Sequence, residues 1–161
     1  MFRVRRIFDD LLPIDRESLR QVQAIMAEQF PEIRPSEISG LPSKLRTPLV
    51  EGFQYILLVA EGTGRNVKGF ALLLNDPFLR YCYLDYIAAT VQETGRGLGS
   101  ILYERVRQEA MFRNSLGVFF ECLPDEPSLC RDLKIRGQNA SRLKFYERYG
   151  ARPIVNTLYE T

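Results

Sequence analysis

The chain has 161 residues, 45% of them apolar and 26% charged, which is the composition of a soluble globular domain with a full-sized core. Its 22 basic and 20 acidic residues leave a net charge of +2, which gives no case for nucleic acid as the main partner. No apolar run has the length of a membrane span, and the first residues lack the apolar stretch of a signal peptide. The sequence therefore predicts a cytoplasmic protein with no membrane partner.

The chain contains no histidine. This excludes Ser-His-Asp and Cys-His nucleophilic sites and the H-E-x-x-H metal site, and no metal site is expected. Cys82, Cys122 and Cys130 lack C-x-x-C spacing and cannot all pair, so reduced thiols are expected. Any proton transfer must use Asp, Glu, Tyr, Cys, Lys or water.

The first half of the chain predicts a strand, two helices and a hairpin. Residues 2–8 alternate as a strand, and Asp15 is placed to cap the helix that follows. A weaker pattern over 36–45 predicts a second helix, and the strands 55–60 and 68–74 flank a polar turn. The apolar positions of the first helix, spaced by three and four, are Leu19, Val22, Ile25, Met26 and Phe30.

The second half predicts alternating strands and helices. A strand over 83–90 leads through a glycine-rich turn to a helix over 97–113, and a mostly apolar strand over 117–123 is predicted to be central. A polar loop over 124–138 precedes a helix over 140–149 with Gly150 as its C-terminal cap, and the last strand is 151–160. The order predicts one α/β domain, with a mixed sheet flanked by helices. The crossover helix predicts that the fourth and fifth strands are parallel.

The turn from Thr94 to Ser100 contains three glycines between a strand and a helix. Glycine permits close approach of a ligand and positive φ, and the first amides of a helix are unpaired. With the helix dipole and Arg96, these features predict a pyrophosphate site. A P-loop needs a lysine that this turn lacks, and a dinucleotide fingerprint needs a different glycine spacing near the first strand. A glycine-rich turn without a ligand is the alternative.

Residues 94–99 resemble motif A of the GNAT superfamily of N-acetyltransferases, [QR]-x-x-G-x-[GA], with Thr94 in place of the usual Gln or Arg. The resemblance implies that acetyl-CoA binds through the turn and that the preceding strand pairs with its pantetheine arm. The cofactor-binding residues that the resemblance implies are Ile87, Ala88, Ala89, Thr94, Gly95, Arg96, Gly97, Leu98, Gly99 and Ser100, together with Asn139 from the second motif described next.

Residues 139–151 resemble motif B of the same superfamily, N-x-x-A-x-x-[FL]-Y-x-x-x-G-F, although Arg142 and Ala151 depart from it. The resemblance implies that Tyr146 is the general acid that protonates the departing thiolate. A phenol suits that role, since its ordinary pKa of about 10 lies near that of a thiol. The alternative for Tyr146 is a packing role. Asn139 either caps the helix or contacts the cofactor.

The base that accepts a proton from the amine is less well defined. Histone-modifying members of the superfamily carry a glutamate on the fourth strand, at the position that matches Tyr83. Asp85 lies two residues further along, so in a regular strand its side chain is on the same face as that of Tyr83. Glu121 lies in the apolar fifth strand, where burial would make it hold a proton more tightly. Both are also plausible structural carboxylates, and a water chain is the third choice.

The resemblance implies an N-acetyltransferase that moves an acetyl group from acetyl-CoA to a small-molecule or protein amine by direct attack. The alternative is a regulatory domain that binds acyl-CoA without catalysis. A homodimer is also expected. Residues 1–161 are expected to form a single acetyltransferase-like domain. Residues 152–161 resemble the interior of a chain more than a finished C-terminus, which suggests that this domain is the N-terminal part of a larger protein.

Overall fold

A computed structural model describes residues 2–47, 50 and 52–155. The chain forms two compact units, Met1–Phe120 and Glu121–Thr161. The single domain expected from the sequence stays a prediction. In the described part of the chain, no helix is long and apolar enough to cross a membrane.

The first unit is built on a mixed five-stranded sheet with strand order β1-β2-β3-β4-β5. The first three pairs of neighbours are antiparallel, and β4 and β5 are parallel, as predicted from the crossover helix. The strands are β1 (Arg3–Ile7), β2 (Gln54–Glu61), β3 (Val67–Asp76), β4 (Tyr81–Ala89) and β5 (Val118–Phe119). The α-helices of this unit are α1 (Pro13–Gln29), α2 (Pro35–Arg46) and α3 (Leu98–Phe112).

Both faces of the sheet are covered by helices. One buried cluster joins α1 and α2 to Val59 and its neighbours on β2 and β3. A second cluster joins the start of α3 to Ala60, which follows Val59 directly and therefore points to the opposite face. The predicted stripe of α1 is confirmed, because its first four members are buried and Phe30 packs against the same cluster.

The predicted cap of α1 is wrong. The helix begins at Pro13, and Leu12 occupies the N-cap position without a side-chain hydrogen bond. Proline suits the first helical position because its fixed φ is already helical and its missing N–H is not needed there. Asp15 lies inside the first turn and accepts a hydrogen bond from Nη1 of Arg5, which explains its position without a capping role.

The predicted central fifth strand is wrong in length and position. The structure has two residues of strand, Val118–Phe119, at the edge of the sheet formed by the described residues. The apolar run is not buried, since Phe119 is 43% exposed and Leu123 is 59% exposed. Residues 151–155 of the predicted last strand have no regular secondary structure, and residues 156–160 lie outside the described residues.

The second unit contains the helix α4 (Leu133–Glu147). It begins before the predicted start because Asp132 caps it. The Asp132 carboxylate accepts hydrogen bonds from the amides of Lys134 and Ile135 at 2.9 and 3.0 Å. Gly150 has a φ of +83°, which confirms it as the left-handed residue beyond the helix.

Candidate active site

The turn between β4 and α3 leaves several backbone amides unpaired. Gly95 and Gly97 have φ values of +79° and +81°, in the left-handed region that favours glycine. Among the residues that the structure describes, no acceptor bonds the amides of Gly95, Gly97, Leu98 or Gly99. The amide of Ser100 turns back to the carbonyl oxygen of Gly97 at 3.1 Å. Four free N–H groups at the positive end of a helix can bind an anion.

The space over these glycines is open. A Cβ placed on Gly95, Gly97 or Gly99 would have no described heavy atom within 4 Å outside the adjacent residues. A ligand can therefore approach the backbone closely, as a pyrophosphate requires.

A buried carboxylate lies under the turn. Glu93 is only 8% exposed, and its oxygens lie 3.7 Å from Nζ of Lys68 and 3.9 Å from Nη1 of Arg96. The Arg96 side chain is 70% exposed, so it can leave Glu93 and reach a phosphate. The sequence motif contains Arg96 but gives no signal for Lys68, which comes from a different strand.

Gly69 on β3 is a second residue that the motifs do not reveal. A Cβ on Gly69 would lie 3.1 Å from Cδ2 of Leu98, the first residue of α3. The missing side chain lets α3 begin close against the sheet. A single glycine inside a strand pattern is the signal that could have shown this, because it often marks a close approach.

The edge of β4 that faces β5 is paired only at its start. The parallel register joins Cys82 to Val118 and Tyr83 to Phe119, and β4 then continues to Ala89 without a strand partner on that side in the described sheet. On its other side β4 stays paired with β3 through Ala89. An extended ligand could therefore hydrogen-bond to this edge as an added strand would.

A register shift lies in the middle of β4. Leu72 pairs with Tyr86 and Leu73 pairs with Leu84, so the register skips Asp85, as in a β-bulge. The face predicted for Asp85 rested on regular alternation from Tyr83, and the bulge interrupts that alternation at Asp85 itself. Bulges often lie beside active sites because they redirect side chains.

Comparisons with protein-family models and with curated protein sequences give no match. Solved structures match most or all of the chain. AAC(6')-Iy in complex with the bisubstrate analogue CoA-S-monomethyl-acetylneamine has a TM-score of 0.69 at 12% identity, over 100% of this chain and 97% of that one. An aminoglycoside acetyltransferase from an uncultured soil metagenomic sample has a TM-score of 0.67 at 16% identity, over 100% and 98%. A protein from Desulfovibrio desulfuricans described as a GNAT-family acetyltransferase has a TM-score of 0.63 at 20% identity, over 92% and 83%.

The chain has the GNAT acetyltransferase fold. This confirms the fold that the two sequence motifs implied. In this GNAT fold, the glycine turn of motif A joins β4 to α3, and the residues of motif B lie in α4 and the turn after it.

The α1–α2 junction of the GNAT fold contains a cavity of about 470 Å³, lined in part by Phe30, Ile33 and Ile38. Phe30 also contacts the ring of Tyr86 on β4, with the ring centroids 5.1 Å apart. Burial, followed by the charge of Asp85, raises the pKa of Tyr86 to about 12, and more distant acidic groups add to the effect. Tyr86 is therefore a neutral phenol at physiological pH.

The two candidate site residues of motif B, Tyr146 and Asn139, both make contacts inside the protein. Tyr146 is buried, at 6% exposed, and its ring centroid lies 5.0 Å from that of Phe145. Asn139 does not cap α4, because Asp132 does. It is buried inside the helix, and its Nδ2 donates to the carbonyl oxygen of Pro124 at 2.8 Å. Its contact with a cofactor and the acid role of Tyr146 stay predictions.

Glu121 differs from expectation. It lies beyond the end of β5, and it is exposed. The prediction that Glu121 lies in a buried, apolar strand, which made it a candidate base, is therefore wrong. Asp85, by contrast, is half-buried on β4, and its role as a base stays a prediction.

Proposed function

We propose that this protein transfers the acetyl group of acetyl-CoA to an amine. The observation that carries the proposal is the turn from Gly95 to Gly99, with four unpaired amides, two left-handed glycines and open space above them. A pyrophosphate is the ligand that best fits an anion site of this kind at a helix N-terminus. The GNAT fold adds a β4 edge suited to an extended pantetheine arm.

Acetyl-CoA supplies an activated thioester, and the reaction is attack by a neutral amine nitrogen on the acetyl carbonyl carbon. The C–S bond breaks, the nitrogen loses a proton, and the thiolate gains one. Tyr146 would donate the proton to sulfur, because its phenol is the group that motif B supplies for this step. The amine proton would pass to Asp85 or to water.

The acceptor is proposed to be a small-molecule amine, with a protein amine as the alternative. Two of the similar structures concern small acceptors by their descriptions, an aminoglycoside acetyltransferase and a complex with an acetylneamine analogue. The cavity at the α1–α2 junction has the volume of a small-molecule site. The three free cysteines support a reducing compartment such as the cytoplasm.

A domain that binds acyl-CoA without catalysis is the second candidate. One observation favours it. Thr94 replaces the usual Gln or Arg of motif A, and its hydroxyl donates to the carbonyl oxygen of Thr90 at 3.4 Å, so the side chain is turned toward the protein backbone.

The decisive experiment combines binding and turnover. Calorimetry with acetyl-CoA tests the site, and a mass-spectrometric screen of amines incubated with acetyl-CoA tests the reaction. Binding with acetylation of one amine class supports the acetyltransferase. Binding without any acetylation above the uncatalysed rate supports the second candidate, and the absence of binding rules out both.

A further inference from the structure

Three guanidinium groups surround one buried carboxylate near the C-terminal end of α3. Glu109 is 6% exposed. Its Oε1 lies 3.4 Å from Nη1 of Arg6 and 3.0 Å from Nη2 of Arg113, and its Oε2 lies 3.7 Å from Nη2 of Arg105. The three arginines carry three positive charges against one negative charge, so two positive charges in this cluster have no counter-ion in it.

The neighbouring residue Arg5 is a largely buried arginine whose charge is balanced, and it serves as a comparison. Its side chain is 19% exposed and donates to the carboxylates of Asp15 and Glu61 and to the hydroxyl of Ser18. Two carboxylates therefore balance this single cation. The Arg5 cluster needs no further anion.

Arg6 has similar burial and far fewer partners. Its side chain is 16% exposed, and among the described residues it makes one hydrogen bond, the 3.4 Å contact with Glu109. Its Nε, like that of Arg113, is buried without a partner. Burial and the charge of Arg113 lower the pKa of Arg6. A buried cation is normally paired, and this one shares a single carboxylate with two others.

We propose that Arg6, Arg105 and Arg113 form a binding site for a small oxyanion with two negative charges, of the phosphate class. Two charges match the excess of the cluster, and the fork of a guanidinium fits the oxygens of a tetrahedral anion. Arg6 is also held in place, with its guanidinium carbon 4.3 Å from the ring centroid of Phe8. Arg105, with a side chain 40% exposed, provides access from solvent.

This site is distinct from the glycine turn. The turn lies at the N-terminal end of α3, whereas Glu109 and Arg113 lie at its C-terminal end, about 20 Å away along a helix of 15 residues. The anion site does not depend on the proposed acetyl transfer. Because Glu109 already fills part of the cluster, it should weaken the binding of an added anion.

The test is an NMR titration with inorganic phosphate in a chloride buffer of constant ionic strength. The buried Nε–H groups of Arg6 and Arg113 should give resolved signals, and both are expected to shift in a saturable manner. A parallel titration with glycerol 3-phosphate distinguishes a free phosphate from a phosphate ester as the preferred ligand. Shifts confined to the amides of Gly95 to Gly99, or no saturable shift, would overturn the proposal.

Two variants and one control test whether the phosphate-induced shifts come from binding at this cluster. Arg105→Gln should weaken phosphate binding about three- to tenfold, because it removes the accessible cation. Glu109→Gln should strengthen it about tenfold, because it removes the competing charge. Arg107→Gln, at a half-buried position on the same helix where the side chain is 41% exposed beside Glu104, should leave it within about twofold. If Glu109→Gln fails to fold, the phosphate affinities of Arg105→Gln and Arg107→Gln are compared instead. Equal phosphate affinities in these two variants would refute the site.

Discussion

Gly69 on β3 lies so close to Ala88 on β4 that a Cβ on Gly69 would be 2.7 Å from the Ala88 carbonyl oxygen. Gly69→Ala should therefore force the backbone of β4 or the start of α3 to move. We expect a loss of about 1–3 kcal/mol in the free energy of unfolding, measured by urea denaturation. The matched control is Gly40→Ala in α2, where a Cβ has no neighbour within 4 Å. This control should gain up to about 1 kcal/mol in stability, and an equal loss in both variants would contradict the close-packing explanation.

Substitutions of Gly97 test whether the glycine turn binds acetyl-CoA or has only a structural role. Asp and Asn tolerate a left-handed φ better than other residues with side chains, so both variants should fold. Gly97→Asp places a negative charge in the open space above the turn and should abolish acetyl-CoA binding in calorimetry. Gly97→Asn has nearly the same size without the charge and should retain measurable, weaker binding. Equal acetyl-CoA affinities in wild type and a folded Gly97→Asp variant would remove the cofactor from this turn.

Glu93→Gln tests the carboxylate beneath the same turn. The substitution removes a buried negative charge near the proposed phosphate position, so acetyl-CoA affinity at low salt should rise a few-fold. The ion pairs with Lys68 and Arg96 are lost, and because both cations are partly exposed the stability should fall by less than about 1 kcal/mol. Calorimetry at two salt concentrations and thermal unfolding measure these effects. Weaker acetyl-CoA binding would show instead that Glu93 chiefly holds the turn in shape.

Tyr146→Phe tests the general acid. The ring and its contact with Phe145 are kept, so acetyl-CoA affinity should change little. Loss of the hydroxyl should lower kcat by about 10²–10⁴-fold, measured with the amine found by the acceptor screen. A variant with nearly unchanged kcat would make Tyr146 a packing residue, and a joint loss of affinity and kcat would point to cofactor binding.

Tyr86 makes the stability depend on alkaline pH. Its pKa is raised from 10.0 to about 12 by burial and by Asp85, so the folded state holds this proton more tightly than the unfolded state does. The resulting stabilisation is complete below pH 10 and is lost as the pH rises toward 12. Because the phenol is partly exposed to solvent, we expect a loss of no more than about 1 kcal/mol. Urea denaturation across this pH range should show a steeper decline in wild type than in Tyr86→Phe, and parallel curves would contradict the assignment.

Much of the fold could be predicted because its signals are local. The spacing of Leu19 and Val22 marks the buried side of α1, and the crossover helix requires parallel β4 and β5. The short length and the edge position of β5 in the described sheet could not be predicted, because an apolar run reveals neither how far strand pairing extends nor whether a second strand lies beside it. Glu121 was misplaced for the same reason.

The candidate site divides in a similar way. The glycine turn is visible in the sequence because the left-handed positions and the helix start are adjacent. Lys68 and Gly69 approach the turn from another strand, so their roles depend on contacts between distant parts of the chain. Asn139 was a plausible cap only while the start of α4 was unknown, and the aspartate seven residues earlier could be read as part of the polar loop.

The pairing of Ile7 with Leu57 brings the two ends of a long excursion to adjacent positions in the sheet. The segment between them includes α1, α2 and the cavity at their junction. Because both ends are held by neighbouring strands, residues can be inserted or removed near Pro31 with little cost to the pairing of β1 and β2. On the proposal that this cavity takes the acceptor amine, length changes in this excursion would change acceptor preference and leave the glycine turn between β4 and α3 as it is.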